Sequence, residues 1–92
     1  MPVSTKEQTL IQERLEAASR TDRDRMRRDA EALLSLYAGN AVMPRRQPSS
    51  MERRDVETAI EVILRLECLD NDGGWWFRQK RRYALMRQYL GP

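Results

Sequence analysis

Apolar residues recur at helical spacing through four stretches of the chain, separated by polar or turn-forming segments. In the first stretch Leu10, Ile11, Leu15 and Ala18 fall on one side, with Glu13 and Glu16 elsewhere. Ser4 followed by Glu7 fits a capping box, in which the hydroxyl accepts an orphan backbone N–H and the carboxylate reaches back. The first helix is therefore expected over 5–19. The segment 19–28, SRTDRDRMRR, is almost wholly polar. Thr21 can cap a second helix over 22–38, with Asp22 and Asp24 against the positive end of its dipole. Met26, Ala30, Leu33 and Tyr37 make its apolar stripe, flanked by Leu34 and Leu36, and Gly39-Asn40 supplies a stop.

A competing pattern joins these two helices. Ile11, Leu15, Ala18, Asp22, Met26, Ala30, Leu33 and Tyr37 trace one stripe, and neither Gly nor Pro lies between Val3 and Gly39. One continuous helix of that length would run ~50 Å at ~1.5 Å per residue. It would overhang a small monomer and favour a dimer. Two separate helices are the preferred reading.

Pro44 and Pro48 break the segment 41–50 into a loop. Ser49 and Glu52 form a second capping-box pattern, opening a third helix over 50–69. Val56, Ala59, Ile60, Val62, Ile63, Leu64, Leu66 and Leu69 cover more than half its circumference, leaving Arg54, Glu57, Glu61 and Arg65 as a narrow polar strip. A helix so widely apolar has neighbours on more than one side, so the third helix is expected at the centre. After Asp70-Asn71-Asp72-Gly73-Gly74 a last helix is expected over 75–90. With no alternating strand pattern, the expected fold is all-α: a small bundle of four helices in a single domain over 1–92.

Composition agrees with that picture. A chain of 92 residues supports one core, hiding only ~60–65% of the surface exposed by its unfolded form. Dimerisation, which would add to that burial, is left open. Apolar residues at 40% and charged residues at 34% suit amphipathic helices with heavily charged outer faces. No apolar run is long enough to cross a membrane, and 1–10 lacks the apolar core of a secretion signal. Cys68 is the single cysteine, so an intramolecular disulfide is impossible and a reducing compartment, the cytoplasm, is expected.

The residue types also limit the chemistry. The chain contains no His, which removes Ser–His and Cys–His nucleophiles and the usual zinc ligands. Asp70 and Asp72 resemble the start of a calcium loop, but the sixth and twelfth positions hold Trp75 and Arg81 rather than Gly and Glu. Gly73-Gly74 lacks the spacing of a phosphate-binding loop. No catalytic residue, metal site or cofactor is expected, and the chain does not read as an enzyme.

The last helix, WWFRQKRRYALMRQYL, carries five basic residues (Arg78, Lys80, Arg81, Arg82, Arg87), no acid and five of the six aromatics. On a helical wheel Trp75, Trp76, Tyr83, Met86 and Leu90 share an arc about 100° wide, the expected core face. Arg78, Arg81 and Arg82 cluster on the other side, joined by Phe77, Leu85 and Tyr89, while Lys80 and Arg87 border the core face. Arg beside surplus aromatics is a recurring composition for a binding face. The first functional expectation is a small regulatory protein that meets nucleic-acid phosphates through Arg78, Arg81 and Arg82, aided by Arg45 and Arg46. The alternative is an inhibitor or adaptor, of the kind phages and mobile elements encode, using the same face on an acidic or nucleic-acid-binding protein. A third is a structural homodimer that pairs its long N-terminal helices.

Overall fold

A computed structural model describes residues 3–38, 48–70 and 74–90. It contains four helices: α1 (Thr5–Ala17), α2 (Arg20–Ala38), α3 (Ser50–Asp70) and α4 (Gly74–Leu90). No strand occurs among the described residues. α3 lies at the centre, with α1, α2 and α4 each packed against it and α4 also touching α2. The all-α bundle and its central third helix are as the sequence led us to expect.

The first two helices are separate. Ala18 is extended, with φ −78° and ψ 146°, and the longest dimension of the molecule is 38 Å. α1 ends at Ala17 rather than 19, and α2 opens at Arg20 rather than Asp22. The cap of α2 is Ser19, not Thr21: its Oγ accepts the Asp22 N–H at 3.1 Å and its carbonyl accepts the Arg23 N–H at 2.9 Å. Arg23 completes the corner by donating Nε to the Leu15 carbonyl at 2.7 Å and Nη2 to the Glu16 carbonyl at 3.2 Å. Those carbonyls belong to the last turn of α1, where the usual i+4 donors run out; Leu15 otherwise accepts only the longer Ala18 N–H, at 3.3 Å. A long side chain thus ends a helix that neither Gly nor Pro interrupts.

Both capping-box positions open helices. Ser4 Oγ accepts the Glu7 N–H at 3.2 Å, while the Glu7 carboxylate pairs with Arg54 of α3 at 3.1 Å instead of reaching back. Ser49 and Glu52 exchange both bonds, each 3.2 Å. The second Glu52 oxygen accepts the Tyr37 hydroxyl at 2.6 Å, tying α2 to the first turn of α3.

The core joins Ala30, Leu34 and Tyr37 of α2 to Val56, Ala59, Ile60 and Leu64 of α3 and to Leu85 and Leu90 of α4. α1 adds Leu15, which is fully buried, whereas Leu10 is exposed. In α2 the deepest residue is Leu34, expected only at the flank; Leu36 faces solvent. The expected stop at Gly39-Asn40 and most of the 41–50 loop lie outside the described residues.

Candidate functional site on the last helix

The orientation of α4 is set by the acids of α3. Glu61, expected in the narrow polar strip of the third helix, is 1% exposed. Arg65, one turn on, donates Nε to its Oε1 at 2.8 Å. From α4, Arg82 donates Nε to Oε2 at 3.0 Å and Nη2 to Oε1 at 2.9 Å, and its Nη1 reaches Gln79 Oε1 at 3.0 Å. Arg65 extends the network to α1 through Gln8 at 3.2 Å and Gln12 at 3.4 Å. One buried carboxylate therefore joins three helices, and among the described residues no buried side-chain polar atom lacks a partner. Burial alone would raise the Glu61 carboxyl. The hydrogen bonds and charges of Arg82 and Arg65 outweigh it and hold the group below the usual carboxylate range.

A second fork lies beside the first. Arg81 donates Nε and Nη2 to the two oxygens of Glu67 at 2.9 and 3.0 Å. The hydrogen bond to Glu67 raises the pKa of Arg81 further above its usual value. Arg81 and Arg82 adjoin in sequence, so both forks close only if this edge of α4 faces α3.

That requirement corrects the expected faces of the last helix. Leu85, expected outward, is buried in the core, and Tyr89 packs against it half-buried. Arg82 is buried, and Arg81 is half-buried in its pair with Glu67. Arg78 is half-buried and has interactions of its own. Phe77 is exposed, but apart from Leu85 and Tyr89. Trp75, Trp76 and Tyr83, expected in the core, are exposed; only Met86 and Leu90 of that arc pack inward. The inward arc is turned by roughly 60–75° from the expected one, counting 100° per residue. Arg45 and Arg46 lie outside the described residues.

Magnitudes account for the rotation. Leaving a buried carboxylate without its partner costs ~3–5 kcal/mol, whereas exposing a large apolar side chain forfeits ~1.5–3 kcal/mol. Turning the Trp pair inward would leave the buried Glu61 with Arg65 alone and open the Glu67 fork. The inward arc keeps Leu85 and Leu90 in the core, so less apolar burial is lost than the wheel suggests.

The outward surface is consequently a different set of residues. Tyr83, Trp76, Arg87 and Lys80 fall, in that order, within an arc of about 60° at 100° per residue, and all four are exposed. Trp75 meets Trp76 edge-on, with ring centroids 4.8 Å apart and planes at 80°. The Arg87 guanidinium carbon lies 5.8 Å from the centre of the Tyr83 ring. Gly74, at φ +83°, starts the helix in a conformation that favours glycine. The signal in the sequence for this face was indirect: Glu61 and Glu67 set among the apolar positions of the second half of α3, and two adjacent arginines able to reach them.

The chain matches no known protein family, and no curated protein and no solved structure is detectably similar to it.

Proposed function

We propose that this chain is a small non-enzymatic binding protein, an inhibitor or adaptor, that grips a protein partner with the outward face of α4. The observation that carries this reading is the exposure of Trp76 at 72% and Tyr83 at 65% on the same narrow arc as Lys80 and Arg87. Trp, Tyr and Arg are the residues that most often anchor interfaces. The spacing i, i+4, i+7, i+11 is that of a helix laid into a groove. Two large aromatics on one solvent-facing stripe leave apolar surface that a partner would cover. The single cysteine supports a reducing compartment such as the cytoplasm.

The nucleic-acid reading ranks second. Arg81 and Arg82 already present their forks to Glu67 and Glu61, so phosphate contact through them would break intramolecular pairs. Lys80 and Arg87 remain on the outward face, and two phosphate contacts give a salt slope of only about −1.8. Its support is that exposed Trp and Tyr rings can stack on unpaired bases. The paired-helix dimer loses the continuous stripe on which it rested, which is interrupted at Ala18.

Affinity capture from nuclease-treated lysate tests the proposal, using the full chain and its Trp76→Ala/Tyr83→Ala variant. The expected result is a protein retained in stoichiometric amount by the native chain and lost by the variant. Capture that disappears with nuclease would transfer the face to nucleic acid.

A further inference from the structure

The side of α3 away from α4 is only partly covered. Glu61 and Glu67 face α4, and Asp55, Ala59 and Val62 lie about 170° round the helix from their midpoint. α1 and α2 pack on α3 to either side of this strip. Between α2 and α3 runs an open groove of about 450 Å³, floored by Met26, Leu33, Ala59 and Val62. Among the described residues two carboxylates, Asp29 and Asp55, line it, one from each helix, and no cation does. Both are exposed, and neither pairs with a cation among the described residues. In a chain with 17 basic residues, an apolar groove whose described lining holds two acids and no arginine is distinctive.

The outward face of α4 is its complement. It offers two large aromatics and two cations with no acid, where the described lining of the groove offers an apolar floor and two acids with no cation. Lys80 and Arg87 are about 10 Å apart along the helix axis, as are Trp76 and Tyr83. A helix laid along the groove with its rings toward the floor would carry its cations at the rim.

We infer that this groove receives the outward face of α4 from a second copy of the chain. The inference rests on the reading of α4 as a protein-binding face and names one partner for it. Donor face and acceptor groove point to opposite sides of α3, so the contact is heterologous. Each copy would offer a free groove at one end and a free α4 at the other. Association of that kind continues head to tail rather than stopping at a dimer. Two aromatic side chains bury ~150–250 Å² each, well short of the ~800 Å² per partner of a stable interface. The assembly is accordingly weak and reversible.

Sedimentation velocity on the full chain over a wide concentration range tests this, with circular dichroism to confirm that each variant is folded. The native chain should show a mass that rises with concentration and passes the dimer. Asp29→Arg/Asp55→Arg and Lys80→Glu/Arg87→Glu should each remain monomeric alone. Mixed in equal amounts they should associate again, because the acidic α4 of one now matches the basic groove of the other. A native chain that stays monomeric throughout overturns the inference, and so does a mixture that fails to recover. If the Lys80/Arg87 variant is monomeric while the Asp29/Asp55 variant still associates, the groove is the wrong acceptor and the reading of α4 stands. Should the Lys80/Arg87 variant associate like the native chain, while capture from lysate still depends on Trp76 and Tyr83, self-association through this face is refuted and the reading of α4 stands.

Discussion

Replacing Arg82 by Met removes one cation from the buried network and keeps most of the side-chain stem. The carboxylate left behind is 1% exposed and accepts both Nε and Nη2 of Arg82, at 3.0 and 2.9 Å. Breaking such a pair from one side costs ~3–5 kcal/mol, because the remaining charge stays desolvated. Arg65 still donates to Glu61 at 2.8 Å, which places the loss toward the lower end, near 3 kcal/mol. A domain of this size has roughly 5–14 kcal/mol in total, so the variant should fold but lose a large part of its margin. Urea titration followed by far-UV circular dichroism should show a lower midpoint at an unchanged slope. Arg81→Met is the control: its pair has side chains 41% and 32% exposed, and such surface pairs contribute ~0–1 kcal/mol. Replacing both partners, as Glu61→Leu/Arg82→Met, should cost less than Arg82→Met alone, since no unpaired acid remains and Arg65 keeps Gln8 and Gln12. If Arg82→Met proved no worse than Arg81→Met, the claim that Glu61 sets the orientation of α4 would fail.

Three further outcomes follow from the same contacts. The Glu61 carboxyl is held below its ordinary value of 4.5, so the unfolded chain binds its proton first as pH falls. The stabilisation is complete above the unfolded value and declines as pH drops through the lower folded one. Urea midpoints measured from neutral pH down through the acid range should fall more steeply for the native chain than for Glu61→Gln. Tyr37→Phe deletes the 2.6 Å donation to Glu52 at a site 3% exposed, and should cost ~1.5–3 kcal/mol, as for a hydrogen bond to a charged group, in thermal or urea unfolding. At Gly74 a Cβ would meet nothing within 4 Å, yet φ is +83°, so Gly74→Ala should cost only the backbone term of ~1–2 kcal/mol; a stabilising effect would contradict that conformation.

The helical period and the caps determined much of this protein from sequence alone. Four helices, the openings at Thr5 and Ser50, and the central position of α3 all follow from interactions between residues three or four apart. Such interactions are local, so a linear reading contains them. The α1–α2 corner was half legible: a break was preferred, but its place depends on the Arg23 side chain reaching back eight residues to Leu15. The rotation of α4 was not legible from its own residues. Its pattern taken alone places Trp75, Trp76 and Tyr83 inward, because a wheel treats every arginine as solvated and turns the largest arginine-free apolar arc to the core.

What decided otherwise was the neighbour. Glu61 and Glu67 stand on the face of α3 that α4 covers; the desolvated charge of Glu61 required Arg82 to turn toward it, and the adjacent Arg81 then meets the half-exposed Glu67. Charge pairing across 14 and 21 residues has no period in the sequence. It is a property of the packed pair of helices, and it moved the candidate binding surface from Arg81, Arg82, Leu85 and Tyr89 to Trp76, Lys80, Tyr83 and Arg87.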